Sequence, residues 1–376
     1  MKQLLSFIAL LVITGLQAQP NISSFTASSG AIGTLVTISG TNLSSPTALT
    51  IGGVTAIAIS NTGTSLVAMV MPGATTGSVV VTTAGGTATS ASNFTVTATN
   101  YPAVQQGSKL VGTGSIGSTV YQGYAVAVSA DGNTAIVGGY MDNSNQGAAW
   151  VYTRSGSTWT QQGSKLIGTD NIGAAQLGWS VSLSADGNTA LVGGVADNGY
   201  QGATWVYTRS DGVWTQQGGK LVGTGNAGAA YQGRVVSLSA DGNTAIFSGV
   251  VDNGGQGAAW VFTRSGGVWT QQGSKLVGTG NVGAAQQGSS ISISADGNTA
   301  IMGGFYDNSN IGAAWIFTRI GSTWTQQGNK LVGTGNSGAS LQGLAVSVNA
   351  DGNTAIVGGY NDNSGQSSGF ISCKAS

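Results

Sequence analysis

A strict internal repeat constrains this chain more than any other feature. The stretch SADGNTAIVGG at residues 129–139 returns four times almost unchanged, and its aspartate recurs at Asp131, Asp186, Asp241, Asp296 and Asp351, each 55 residues from the last. A period of this size limits the fold to propellers, solenoids or arrays, because one such unit cannot bury its own apolar face and must stack on its neighbours. Each unit holds four apolar runs, as in WTQQGSKLIG, SVSLSA, TALVGG and GATWVYTR of the second copy. Four short strands per unit select the blade of a β-propeller. The array begins with VQQGSKLVG at Val104 and ends with SGFISCKAS, so five sets of four strands are present and each blade is split between neighbouring repeats. The expected propeller therefore covers residues 104–376 as five four-stranded blades, closed by a clasp of the first strand on the last. Closure removes exposed sheet edges. An open array is the alternative.

Composition agrees with strands and tight turns. The chain has 64 glycines, 6% charged residues and no histidine, and glutamate is absent as well. The charges follow the repeat: Asp142, Asp197, Asp252, Asp307 and Asp362 form a second aspartate series. Lysines recur at Lys109, Lys165, Lys220, Lys275 and Lys330, and arginines at Arg154, Arg209, Arg264 and Arg319 with Lys374 in the same slot. With 12 basic and 12 acidic residues, nothing points to nucleic acid or an anionic membrane as partner. Cys373 is the single cysteine, so no internal disulfide is possible, and without histidine it lacks the base of a papain-like site.

The opening MKQLLSFIALLVITGLQAQP has a lysine, an apolar run and a small-residue boundary. It reads as a signal peptide over residues 1–18 with cleavage after Ala18. A membrane anchor is the alternative, although the run is shorter than the ~20 residues a spanning helix needs. The mature chain is expected to be secreted or held at the cell surface, without membrane insertion. Residues 19–98 show period-two alternation broken by glycine turns, as in TLVTISGTNL, SLVAMVMP and GSVVVTTAGG, which argues a β-sandwich. A linker over residues 99–103 precedes the repeats.

Two resemblances follow from these residues. ISSFTASSGAIGTLVTISGTNL and MPGATTGSVVVTTAGGTATSASNFTV, with Gly33, Gly40, Asn42, Pro72, Gly77, Gly85, Gly86 and Phe94, resemble the IPT/TIG immunoglobulin-like modules. That resemblance implies an adhesive or spacer domain. The repeats, carried by GYAVAVSADGNTAIVGGYMDNSNQGAAWVYTRSGSTWTQQGSKL and its relatives, resemble the FG-GAP repeats of integrin-type propellers. They depart from that family where its phenylalanine is replaced by Gln122, Leu177, Gln232, Gln287 and Gln342. The whole chain is thus expected to be all-β, an immunoglobulin-like sandwich followed by a propeller.

The FG-GAP resemblance implies calcium in the inter-strand loop, through several aspartates. Here Asp131, Asp186, Asp241, Asp296 and Asp351 stand one to a loop, where calcium prefers six to eight oxygens. The Asp-Gly pair between two apolar runs is in itself a hairpin signal. Turn and weak calcium ligand are the two readings, and no other cofactor is expected. The DNSNQG loops, with Asp142 and Asn143, divide likewise between Asx-turns and a cation or sugar contact. The recurrent tryptophans, Trp150 and Trp159 with their equivalents, read as packing between blades.

Catalysis is hard to assemble, since a glycosidase needs two converging carboxylates and the inner strand carries none. The protein is read as non-enzymatic. In so uniform an array the informative residues are those that differ. One slot directly before the inner strand holds Tyr124, Trp179, Arg234, Ser289 and Leu344. Tyrosine, tryptophan and arginine are enriched at binding hot spots, so Tyr124, Trp179 and Arg234 are the candidate ligand-binding residues for a protein or carbohydrate at the channel mouth. Drift at an exposed loop end is the competing explanation. A structural surface or matrix protein without a defined ligand is the alternative function.

Overall fold

A computed structural model describes residues 18–71, 73–98, 105–365 and 368–373. The expected leader (Ala18 apart), Pro72, the linker 99–103 and Val104 lie outside the described residues. Among the described residues no helix is long and apolar enough to cross a membrane. The chain divides into two compact units between Thr99 and Asn100.

The first unit is a sandwich of two sheets. One runs in the order Asn21–Thr26, Leu35–Thr41, Ser65–Met69, Ile57–Asn61, and the other Ser29–Gly30, Gly86–Val96, Gly77–Thr83, Ala48–Ile51, Val54–Thr55. Alternation decides what is buried: Val36 and Ile38, Leu66 and Ala68, and Val79 and Val81 point inward from successive strands and meet Phe94 and Leu43 in one core. Gly40 is needed where the first strand crosses, because a Cβ there would run into the Asn21 carbonyl.

The second unit is the propeller array. Blade 1 comprises Ala125–Val128, Thr134–Gly139, Ala148–Ser155 and Thr158–Gln161, from the inner strand outward. Blade 2 comprises Leu177–Leu183, Thr189–Gly194, Ala203–Ser210 and Val213–Gln216, and blade 3 Val236–Leu238, Thr244–Gly249, Ala258–Ser265 and Val268–Gln271. Blade 4 comprises Ser290–Ile293, Thr299–Gly304, Ala313–Ile320 and Thr323–Gln326. Blade 5 has three described strands, Gln342–Val348, Thr354–Gly359 and Ser368–Cys373. All pairings within the blades are antiparallel, as their hairpin turns dictate.

Blades stack through one recurring interface. Ile136, Ala149 and Val151 of blade 1 pack on Ala190, Val192, Trp205 and Tyr207 of blade 2. Leu191 and Val206 meet Phe247, Trp260 and Phe262 in the same way, and Ile246 and Val261 meet Met302, Trp315 and Phe317. The third-strand tryptophans Trp150, Trp205, Trp260 and Trp315 are wholly buried, as their recurrence suggested. Three of them donate the indole N–H to a threonine carbonyl, Trp150 to Thr113, Trp260 to Thr224 and Trp315 to Thr279, each at 2.8 Å.

The glycine before each inner strand, and the residue in front of it (Gln122, Leu177, Gln232, Gln287 or Gln342), do two separate things. The glycine, as at Gly178 with φ 90°, lies so close to Gly138 of the preceding blade that a Cβ on either would strike the facing backbone. The glutamine that precedes it in the other blades is a clamp: Gln232 accepts the Gly223 N–H at 2.6 Å and donates to the Gly223 carbonyl at 2.9 Å, and Gln287 holds Gly278 alike. Leu177 of blade 2 cannot make this clamp.

The expected closure by a terminal clasp is not formed among the described residues. The segment from Gln105 to Gly112 contains no strand, and Leu110 is exposed where the equivalent Leu166, Leu221 and Leu276 are buried against a third strand. Arg209, Arg264 and Arg319 each reach a threonine hydroxyl of the preceding blade, whereas among the described residues Arg154 of blade 1 bonds Asn133 of its own. Counting strands does not settle closure, since the angle between blades decides whether the last meets the first.

Candidate functional site

The SADGN aspartates are turn formers. Asp131 accepts the Ser129 hydroxyl and the Asn133 N–H on Oδ1, at 2.5 and 2.9 Å, and the Asn133 side-chain amide on Oδ2 at 3.0 Å. Asp186, Asp241 and Asp296 repeat this pattern, and Asp351 keeps the two asparagine bonds. Both oxygens are therefore engaged by the carboxylate's own hairpin. Among the described residues no group of three or more acidic, cysteine or histidine side chains converges. One pre-engaged carboxylate per loop does not fit calcium.

The second series is spent on packing. Asp142 is buried, accepts the Ile116 N–H on Oδ1 at 2.7 Å and pairs with Lys165 on Oδ2. Asp197 with Lys220 and Asp307 with Lys330 are the same device at 2.6 and 2.5 Å, and Asp252 pairs with Lys275. A carboxylate buried this deeply is tolerable only because it is paired and hydrogen-bonded. Asp170, outside the repeat register, accepts from the Trp205 indole, the Gln216 amide and the Lys220 N–H. Burial pushes its carboxyl up, but these bonds outweigh that and hold it below the usual carboxylate range. Beside the Asp142–Lys165 pair lies a cavity of about 310 Å³ lined by Gln146, Ile167, Gly168, Asn171 and Leu177. It sits at the one blade that has leucine in the clamp slot.

Three residues of the variable slot come together, and two further tyrosines join them. The Tyr124 ring lies 5.0 Å from that of Trp179, and the Arg234 guanidinium stands 5.0 Å from the centre of the Trp179 ring. Blades 1, 2 and 3 thus each supply one member. Tyr140, from the end of the second strand of blade 1, fills the angle between them at 4.6 Å from Tyr124 and 4.8 Å from Trp179. Tyr121 stacks on Tyr140 at 5.5 Å with rings almost parallel. Tyr121 and Tyr124 are about half exposed, and Trp179 is the half-buried centre. The Trp179 indole N–H is buried without a partner. Ser289 and Leu344 complete the slot without joining the cluster; Ser289 turns its hydroxyl to the Gly303 carbonyl.

Tyr121 and Tyr140 escape detection in the sequence for different reasons. Tyr140 shares its slot with Val195 and Val250, which are buried, so the position reads as core. Tyr121 sits at positive φ (53°), as do Gln176, Tyr231, Gln286 and Leu341 after it. The recurring backbone kink that aims these side chains leaves no mark in residue type.

Residues 20–98 match the IPT/TIG domain family. No curated protein sequence matches the chain. Solved structures similar to it include a functionally unknown protein from Desulfotomaculum acetoxidans DSM 771, at 16% identity and TM-score 0.41 over 65% of this chain and 68% of that one. The periplasmic gluconolactonase PpgL of Pseudomonas aeruginosa is similar at 17% identity and TM-score 0.42, over 62% of this chain and 64% of that one. TolB from Acinetobacter baumannii is similar at 15% and 0.33, over 56% and 45%. The chain spans under two thirds of the latter two proteins, and no activity is carried over from any of them.

Proposed function

We propose that this is an exported, non-enzymatic recognition protein that binds a glycan or protein ligand through one face of an FG-GAP-like propeller, with the IPT/TIG module as spacer. The observation behind this reading is the lopsided cluster of Tyr124, Tyr140, Trp179 and Arg234, confined to three of five blades in an otherwise uniform array. Half-exposed phenol rings offer stacking surface for the apolar face of a sugar or a planar side chain. The Arg234 guanidinium beside them offers donors to a hydroxyl or carboxylate. Each aspartate series is bonded to its own scaffold, which leaves no pair of carboxylates poised for hydrolysis and supports the non-enzymatic reading.

The test is a glycan array and a surface-protein pull-down with the protein lacking residues 1–18, run beside Tyr124→Ala and Trp179→Ala. Tyr124→Ala should weaken the hit by about 2 kcal/mol, as at a hot spot, while the melting temperature stays unchanged. Trp179→Ala should lose binding too, with some loss of stability because three groups pack on it. A ligand that binds both variants normally would overturn the assignment of the face and favour the alternative, a structural surface protein.

A further inference from the structure

Each of blades 1 to 4 hands an apolar face to the blade that follows, which leaves two faces over. Blade 1 presents Val126 and Val128, 68% and 61% exposed, where Val236 and Leu238 in the same slots are 7% and 8%. Blade 5 presents Ile356, 51% exposed, where Ile136, Leu191, Ile246 and Ile301 are 0% or 1%. The first is a face that receives a preceding blade, and the second is one that supplies it.

The backbone is open in the same sense. Ala130, Ala185, Ala240 and Ala295 each donate an N–H to the alanine carbonyl of the next blade, at 2.9 to 3.0 Å. The relay stops at Ala350, whose N–H has no such partner among the described residues, and the Ala130 carbonyl receives none. Gly123 of blade 1 looks into open space where a Cβ on Gly178, Gly233, Gly288 or Gly343 would strike the preceding blade.

We infer that a second copy of this chain covers these faces, head to tail. Ile356 of one copy seats against Val126 and Val128 of the next, as Ile301 does against Val346 and Val348 within the chain. The Ala350 N–H then continues the relay to the Ala130 carbonyl of the second copy. The choice of occupant rests on the repeat. The two open faces are the halves of an interface that the molecule already forms between each pair of successive blades, so Val126, Val128 and Ile356 stand at matching contact slots. An interface of this heterologous kind either closes into a ring of copies or extends.

The experiment is analytical ultracentrifugation of the protein across a concentration series, under reducing conditions so that Cys373 cannot cross-link copies. The mass of the unaltered chain should rise with concentration. Val126→Asp with Val128→Asp blocks one face and Ile356→Asp the other, at positions open to solvent in the single chain, so each variant should fold and stay monomeric. Mixed, the two should form a one-to-one dimer and nothing larger, because each keeps one intact face. Should an aspartate variant unfold, Val126→Thr and Ile356→Thr replace it, with association expected to weaken at least tenfold. A chain that stays monomeric throughout, or mixed variants that fail to pair, overturns the proposal. If such a monomer also loses melting temperature with either variant, blade 5 closes on blade 1 of the same chain instead.

Discussion

Tyr152 and Tyr207 are both buried with hydroxyls that find no partner, at a slot that holds Phe262 and Phe317 in blades 3 and 4. Burial drives both phenols above the usual tyrosine range, and at Tyr207 the nearby Asp170 carboxylate adds to it. A polar group shut away from water without a bond costs about 1–3 kcal/mol. Phenylalanine already fits this slot two blades away, so Tyr207→Phe should remove that cost without leaving a void. The expected gain is about 1 kcal/mol, read as a rise of roughly 2–4 °C in thermal denaturation. A lowered melting point would mean that the hydroxyl is bonded after all. The same comparison across repeats separates Trp179 from the tryptophans of the third strand. Those recur and are wholly buried; Trp179 stands alone in its slot and leaves its N–H unpaired.

At the scale of the strand pair, the outer hairpin of blades 1 to 4 sets an arginine across from a tryptophan, as Arg264 opposite Trp269 and Arg154 opposite Trp159. The guanidinium stacks on the indole at 5.3 Å in the first pair and 5.6 Å in the second. Arg264 continues into blade 2, where Gln217 and Thr189 accept its N–H groups at 3.1 and 3.2 Å; among the described residues Arg154 bonds Asn133 of its own blade instead. Burial pulls the Arg264 guanidinium down, while the Asp241 and Asp186 turns push it back up. Hydrogen bonds to a charged group contribute about 1.5–3 kcal/mol. Arg264→Ala should therefore cost about 2 kcal/mol in denaturant unfolding, and Arg154→Ala about 0.5, as for a surface side chain. Equal losses would show that stacking alone matters. The hairpins were legible in the sequence, because alternation and the Asp-Gly turns mark their ends. The bridge from Arg264 to residues 47 and 75 positions away was not, since it exists only once the blades are set at their angle. The candidate site divides likewise: Tyr124, Trp179 and Arg234 showed as breaks in the period, whereas Tyr140 joins them from another strand through that same angle.

Over the whole molecule, the open ring makes a gradient where a closed one would have none. The stability of a repeat array is close to a sum of unit terms and nearest-neighbour terms. Blades 2, 3 and 4 are packed on both faces; blades 1 and 5 have one each, with Val126 and Ile356 left in water. Local opening should therefore start at the two ends, although the strands there carry the same ladder hydrogen bonds as the middle ones. Native-state hydrogen exchange reads this directly. Thr244–Gly249 of blade 3 should be protected at least about tenfold more than its counterparts Thr134–Gly139 and Thr354–Gly359, since a tenfold ratio needs only about 1.4 kcal/mol and a lost apolar interface exceeds that. Raising the protein concentration should protect the two end blades together and leave blade 3 unchanged, because head-to-tail association covers both faces in one event. Uniform protection at low concentration would instead mean that the chain closes its own ring, and it would return Ile356 to the buried setting of its four equivalents.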